Sequence, residues 1–409
     1  MISLADAQQR ILGAVQRLPA RTHPLRDARG LVLAEDIEAT EPVPPFSNTA
    51  MDGYAVRAAD TVGASAESPT RLRVVGELPA GRAPTIAVGV GEAIRIMTGA
   101  PMPDGADAIV MVERTETAGD DVLIARAAEP GDHVRPAGGD LEAGRRVFDA
   151  GTVLTPAHLG VLASLDIADV SCFPRARVGV LSTGDELVER GPLPPGAIRD
   201  SNRPMLLAVV AEAGCEPVDY GSVRDDEALI ADTIAKAVDE CDALLTSGAV
   251  SVGDYDFVKV ALERLARERP GSEFTWAQVA IKPAKPLAFG VLGGVPVFGL
   301  PGNPVSSRVS FELFARPALR RMMGRPGVMG TEVVARASSA LKRRPDGKLH
   351  LDRVVVRVED GRYVCERSGF QASNVLSGMA AANGLALLAD GEGVEAGEEV
   401  RVLLLEPER

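Results

Sequence analysis

The sequence predicts a multidomain protein of the α/β plus β class. A central parallel α/β domain lies between an N-terminal region of mixed and β structure and a C-terminal β domain. Three observations predict this. The 409 residues exceed what a single core usually organises. From Arg177 onward, short apolar strands alternate with helical stretches, the pattern of a parallel sheet covered on both faces. On either side, at about 70–135 and 331–409, short β-type runs are separated by Gly, Pro and Asp turns.

The elements follow in order. MISLADAQQRILGAV reads as an amphipathic helix capped by Ser3, with Asp6 three residues on; it has neither the basic start nor the cleavage site of a secretion signal. EPVPPFSNTAMDGYAV reads as an extended loop. The runs RLRVV, EAIRIM, DAIVMV and DVLIA suggest a small β domain, and Thr155-Pro156 opens a helix. In the central part, strands are expected at Val178–Leu181, near Glu216–Tyr220, at Ala243–Thr246 and at Val295–Leu300. Helices open at Asn202 and Pro204, at Asp225, around Phe257, and at Asn303-Pro304. GRPGVMG (324–330) reads as a linker, and Glu359-Asp360-Gly361-Arg362 as a hairpin turn. The expected boundaries are 1–173, with a small β domain inserted at about 70–140, then 174–326 and 327–409.

Composition narrows the function. Lys plus Arg number 44 against 57 acids, a net charge of −13, so the global field opposes nucleic acid and anionic membrane. Aromatics at 4%, with the single Trp276, leave little for stacking on bases. No apolar run is long enough to span a bilayer. The four cysteines (172, 215, 241, 365) and four histidines (23, 133, 158, 350) lack metal-ligand spacing, which indicates buried thiols in a reducing cytoplasm. Any anionic ligand must be held by a local site.

Three loops follow expected parallel strands: Ser182-Thr183-Gly184-Asp185-Glu186, Ser247-Gly248-Ala249-Val250-Ser251-Val252-Gly253-Asp254 and Pro301-Gly302-Asn303-Pro304. The carboxyl ends of parallel strands share one edge, where ligands bind. Gly, Ser and Thr there suit an oxyanion, although ordinary βα turns favour the same residues. Neither a GxxxxGK[ST] motif nor a complete GxGxxG after a strand is present. Phosphate recognition would fall instead to Ile281-Lys282-Pro283-Ala284-Lys285-Pro286, where two prolines stiffen the segment carrying two lysines. Two solvated surface lysines are the other reading. Carboxylates recur nearby: Asp185, Glu186, Asp254 and Asp256, with Asp225 and Asp226 at a helix start, where one of the two is read as a cap. Hard oxygen ligands beside a phosphate suit magnesium.

Together the stretches PPFSNTAMDGYAV (44–56), IMTGAPMPDGADAIV (96–110), VRPAGGDLEAG (134–144), LSTGDEL (181–187), DSN (200–202), TSGAVSVGDYDFVK (246–259), IKPAKP (281–286) and GLPGNPVSS (299–307) resemble, almost end to end, the MoeA and gephyrin E-domain family of molybdopterin molybdenumtransferases. The resemblance implies a molybdopterin-binding, MogA-like central domain and a reaction taking adenylylated molybdopterin and molybdate to molybdenum cofactor and AMP, with Mg2+. It implies a functional polar set of Asp52, Thr98, Asp140, Glu186, Asp225 or Asp226, and Asp256. It also implies oxyanion binding by Lys282, Lys285 and Ser306, with Arg353 and Ser373 added from the last domain, and a loop shaped by Pro301 and Pro304 that presents Asn303. Ser182, Thr183, Gly184, Ser247 and Gly248 complete the substrate loops. Glu186 and Asp256 are the expected metal ligands, and an elongated homodimer with composite sites is expected. Further implied partners are other cofactor-biosynthesis proteins and apo-molybdoenzymes. Ala249 and Ala284 stand where the family pattern has glycine, which restricts φ at both. Two alternatives are the adenylyltransferase of the preceding step and a non-enzymatic, gephyrin-like scaffold. The first leaves the N- and C-terminal regions unexplained; the intact Lys, Asp and Glu set argues against the second.

Overall fold

The computed structural model describes residues 1–248 and 257–405. Ser3 caps α1 (Leu4–Ala14), its hydroxyl accepting the Asp6 amide proton at 3.0 Å. Ala7 and Ile11, four residues apart and so on one helix face, are buried in the core of the central domain. The Ile2 amide also donates to the Gln278 carbonyl at 2.8 Å. By chain order α1 belongs to the N-terminal region, but by packing it belongs to the central domain. Its periodicity shows that one face is buried, not what covers it.

Two separate bodies make up the rest of the N-terminal region. Arg21–Pro24, Asp169–Phe173 and Val32–Leu33 form an antiparallel sheet, packed with the helix Pro156–Ser164 around Leu33, Leu154, Leu162 and Cys172. Inserted between is a six-stranded sheet in the order Ala108–Met111, Gly53–Val56, Glu92–Ile96, Thr70–Leu78, Asp121–Ile124, Thr115–Ala118. Its two hydrophobic clusters draw only on residues 54–134. The inserted sheet therefore begins before residue 70, and the stretch expected as loop contains one of its inner strands. Gly53 masks it: a Cβ there would run into the Val110 carbonyl, so close strand approach requires the glycine that also signals a turn.

The central domain contains β1 (Arg177–Thr183), α2 (Asn202–Glu212), β2 (Glu216–Val223), α3 (Glu227–Glu240), β3 (Ala243–Ser247) and α4 (Phe257–Glu268). It continues with β4 (Glu273–Gln278), β5 (Ile281–Lys282), β6 (Pro286–Leu292), β7 (Val295–Leu300) and α5 (Pro304–Ser310). The sheet order is β2-β1-β3-β7-β6-β4, with the first four strands parallel. β6 and β4 are antiparallel additions, so the sheet is mixed rather than wholly parallel. Alternation sorts its two faces. Val178, Val180, Leu245 and Phe298 join α1, α2 and α5 in one core, whereas Leu181, Leu244 and Val297 join α3 and α4 in the other.

The C-terminal strands close into a ring: β8 (Leu349–Glu359), β9 (Arg362–Arg367), Glu332–Ala337, Glu399–Leu404 and Gly384–Leu388, which pairs back to β8. Asp360 and Gly361, at φ 49° and 75°, form the expected β8–β9 turn. β5 pairs in parallel with β8 and not with the central sheet, setting Lys282 opposite His350. Leu351, Met379, Leu385 and Leu403 enter the same core as α1 and α5. The central and C-terminal parts thus share both a strand pairing and a core. None of the described helices is long and apolar enough to cross a membrane.

Candidate functional site

Register aligns the loops. Ser182 lies beside Ser222 on one side and Ser247 on the other, and Ser247 lies beside Leu300. The parallel strands therefore end in one row, as expected at the carboxyl edge of such a sheet. Their loops touch. A Cβ on Gly248, whose φ is 98°, would meet the Thr183 carbonyl at 2.5 Å, and one on Gly302 would meet the Gly248 Cα at 3.8 Å. Glycine at 248 allows this approach. Gly184 serves Glu186 in the same way: its absent Cβ leaves space that the Glu186 carboxylate overhangs, at 2.5 Å. Glu186 is exposed, and its carboxylate has no hydrogen bond or ion pair among the described residues.

Beneath the loops lies a polar layer that residue type alone did not single out. Asp200, its side chain 1% exposed, accepts from Ser182 Oγ at 3.3 Å, Ser222 Oγ at 2.8 Å, and Arg203 N and Nε at 3.1 and 3.2 Å. Asn202 donates both Nδ2 protons, one to Ser247 Oγ at 2.8 Å and one to the Gly302 carbonyl at 2.7 Å. It clamps the β3 and β7 loops together. In sequence Asn202 reads as a helix opener within DSN; the available signal was three polar residues preceding a helix at the ligand edge.

The other expected residues are placed as follows. Asp226 caps α3, accepting the Leu229 amide proton at 2.9 Å, while the Asp225 amide donates to Asp185 Oδ1 at 3.3 Å. Ser306 is buried on α5, which opens at Asn303 with Pro304 in its first turn, after Pro301. The Val305 amide donates to the Ser373 carbonyl at 3.2 Å, bringing the C-terminal loop to the start of α5. Arg353 is 1% exposed, and its guanidinium donates to the carbonyls of Ala372 and Phe370 at 3.2 and 2.7 Å. Expected as an anion ligand, it lies buried beneath the loop that carries Ser373. Lys282 and Lys285 are exposed, and neither ammonium has a hydrogen bond or ion pair among the described residues. Between them Ala284 adopts φ 71° with its methyl in the shared core, so the methyl does not crowd an anion beside the lysines. Asp254, Asp256 and Ala249 lie outside the described residues.

Asp52 and Thr98 meet in the inserted sheet. Asp52 Oδ1 accepts from Thr98 N and Thr98 Oγ1, each at 2.7 Å. The backbone bond first, then the hydroxyl, holds the Asp52 carboxyl below its ordinary pKa, despite the opposing effect of desolvation; Arg95 adds to the lowering. The exposed side chains of Phe46, Met51 and Met97 lie close by in sequence. Asp140 is exposed, its amide donating to the Val43 carbonyl at 2.9 Å. This pair belongs to a body with its own cores, so the described contacts do not join it to the crevice residues.

The four cysteines are buried and outside any disulfide, and burial pushes the Cys172 and Cys365 thiols up to about 11. At those values the Cys172 and Cys365 thiols are protonated at neutral pH.

Comparison with known proteins agrees with this arrangement. Family models match in chain order: the MoeA N-terminal region, domains I and II, over 2–165; a probable molybdopterin binding domain over 179–321; and the MoeA C-terminal region, domain IV, over 335–405. Molybdopterin molybdenumtransferase 2 of Mycobacterium tuberculosis is 41% identical over 94% of this chain and 95% of its own length. The molybdopterin molybdenumtransferase of a Nostoc species is 37% identical over 99% and 94%. The crystal structure of the molybdopterin biosynthesis MoeA protein of Pyrococcus horikoshii superimposes with a TM-score of 0.80 at 31% identity, covering 99% of this chain and 100% of that one. The chain belongs to the MoeA family.

Proposed function

We propose that the crevice inserts molybdate into adenylylated molybdopterin, releasing AMP and Mo-molybdopterin; the relatives' names indicate, for those proteins, transfer of molybdenum to molybdopterin. The observation that carries the reading is the convergence of three glycine-bearing loops at the edge where β6, antiparallel to β7, begins directly after Lys285, the two lysines being without a side-chain partner among the described residues. Molybdate and the substrate pyrophosphate are anions, and in a chain of net charge −13 such ligands need fixed local cations. Lys282 and Lys285 supply them from a segment held by prolines and by the β5–β8 pairing. Ser182, Thr183, Ser247, Asn303 and Ser306 supply hydroxyl and amide groups around the adenylyl bond, and Ser373 closes that side. The exposed Glu186, whose carboxylate has no partner among the described residues, fits a hard divalent ion, which takes one or two carboxylates and shares phosphate oxygens. With Asp256 it would hold Mg2+, whose contribution is to neutralise charge developing on the phosphoryl oxygens. Asp140, Asp225 and Asp226 belong to the same polar set, with Asp226 acting through its helix cap.

The Asp52–Thr98 pair completes the site from a second copy of the chain. Its own separate core and the exposed Phe46, Met51 and Met97 beside it support a surface that meets another subunit. The four buried cysteines, none in a disulfide, suit a reducing cytoplasm, and the released cofactor passes to other biosynthetic proteins or to apo-molybdoenzymes. The test is to supply adenylylated molybdopterin, Mg2+ and molybdate and to measure AMP. Molybdate-dependent AMP release supports the reading. AMP attachment from ATP would indicate the adenylyltransferase, and neither product a scaffold. Lys285→Ala should raise the half-saturating molybdate concentration roughly tenfold, the effect of losing a charge-assisted contact. Unchanged molybdate dependence would remove Lys285 from the site.

A further inference from the structure

Aromatic residues are only 4% of this chain, yet Phe370 is 76% exposed, the most exposed aromatic side chain among the described residues. Its backbone is held firmly. Arg353 Nη2 donates to the Phe370 carbonyl at 2.7 Å and Nη1 to the Ala372 carbonyl at 3.2 Å. Gln371 Oε1 accepts the Arg353 amide proton at 2.8 Å, while its Nε2 donates to the carbonyls of Arg353 and Gly369 at 3.1 and 2.8 Å. Ser368 Oγ donates to the Gly378 carbonyl at 2.6 Å. A buried guanidinium is unfavourable unless its partners are well placed. Here its side-chain bonds immobilise a loop that leaves a phenyl ring in water, which does nothing for the stability of the chain.

The far end of that loop is tied to the crevice, through the Val305 amide and the Ser373 carbonyl at the start of α5. Three peptide units separate Phe370 from Ser373, so their Cα atoms are within about 11 Å of each other. Resting on the function proposed above, we propose that Phe370 is a stacking platform for a planar heteroaromatic ring of the substrate. Adenylylated molybdopterin carries two such rings, adenine and pterin, one on each side of the pyrophosphate. With the pyrophosphate near Ser306 and the lysines, either ring comes within reach of a side chain on this loop. A ring on a preformed backbone loses little freedom on stacking, which favours affinity.

The experiment measures binding directly, with the full chain and with Phe370→Ala and Phe370→Trp. Adenylylated molybdopterin and AMP are titrated separately, and molybdate dependence is measured in turnover. Phe370→Ala should weaken adenylylated molybdopterin on the order of tenfold, as removal of a base-stacking aromatic does. Phe370→Trp should retain affinity, and the half-saturating molybdate concentration should not move. A parallel loss of AMP affinity assigns the ring to adenine; unchanged AMP affinity assigns it to the pterin. Because the side chain is exposed, thermal stability should be the same in all three proteins. Wild-type affinity of Phe370→Ala for adenylylated molybdopterin overturns the proposal while leaving the reaction in place. Binding with the expected ratio but without molybdate-dependent AMP release would overturn the reaction and leave the platform. If the wild-type chain binds no adenylylated molybdopterin, both fall.

Discussion

Ala284 shows how one methyl can be both strained and useful. Its φ of 71° is unfavourable for an L side chain by about 1–2 kcal/mol. Ala284→Gly would relieve that strain, but it removes a buried methyl, about 0.8 kcal/mol, and adds roughly 0.4–1 kcal/mol of unfolded-state freedom. The contributions nearly cancel, so a stability change below about 1 kcal/mol is expected by urea unfolding. Ala284→Val, branched at a left-handed position, should destabilise clearly in the same assay. Thr98 gives a second prediction. Its amide and hydroxyl both lower the Asp52 pKa, which keeps the carboxylate charged to lower pH. Thr98→Val removes the hydroxyl but keeps the amide, so the Asp52 pKa moves up and the acid limb of AMP release should shift to higher pH. An unmoved limb would show that ionisation of Asp52 does not control the rate. Residue type pointed to the lysines and Glu186 because charged side chains in Gly- and Pro-rich loops have few structural reasons to be there. It did not single out Asp200 as a hub, because burial beneath a loop depends on the fold around it.

Among the elements, the parallel strands β1, β3 and β7 were readable because each is a short apolar run leading into Ser, Thr or Pro beside glycine. β4 and β6 were not. EFTWAQ is half-buried at the sheet edge and lacks a clean apolar stripe, while β6 begins within the proline-stiffened lysine segment. Likewise a single helical run was expected after Asn303, yet a π-helical turn, Phe311–Ala315, separates α5 from the helix Arg316–Met322. Within this turn Glu312 is buried between two cations: Arg316 donates to it at 2.8 and 3.0 Å, and Arg308 pairs with it on the other side. Burial, followed by repulsion from Arg316, lowers Arg308 to about 10, so it remains charged at neutral pH. Glu312→Ala should therefore destabilise by about 3–5 kcal/mol, the usual result of stranding buried charge. A thermal midpoint within a degree of wild type would contradict this. The same variant should weaken the crevice, because α5 carries Ser306 two residues before Arg308.

Across the whole molecule, the inserted sheet has its own cores whereas the central and C-terminal parts share one. The first supports the composite site, which predicts complementation. Mixing Asp52→Ala with Lys285→Ala chains, under conditions of subunit exchange, makes half the dimers mixed. Each mixed dimer would hold one intact site, restoring about a quarter of wild-type activity. No recovery, once exchange is demonstrated, would place the whole site within one chain. The shared core has a different consequence. Lys282 lies in a strand that pairs with β8, from the far side of the linker, and α1 lies against the same apolar surface. The lysine-bearing segment is therefore a late product of biosynthesis: until residues 332–404 have left the ribosome and closed their ring, the segment lacks its strand neighbour. A nascent or truncated chain would present its central loops without a correctly seated lysine pair, so capture of a labile adenylylated pterin is deferred until the catalyst is whole.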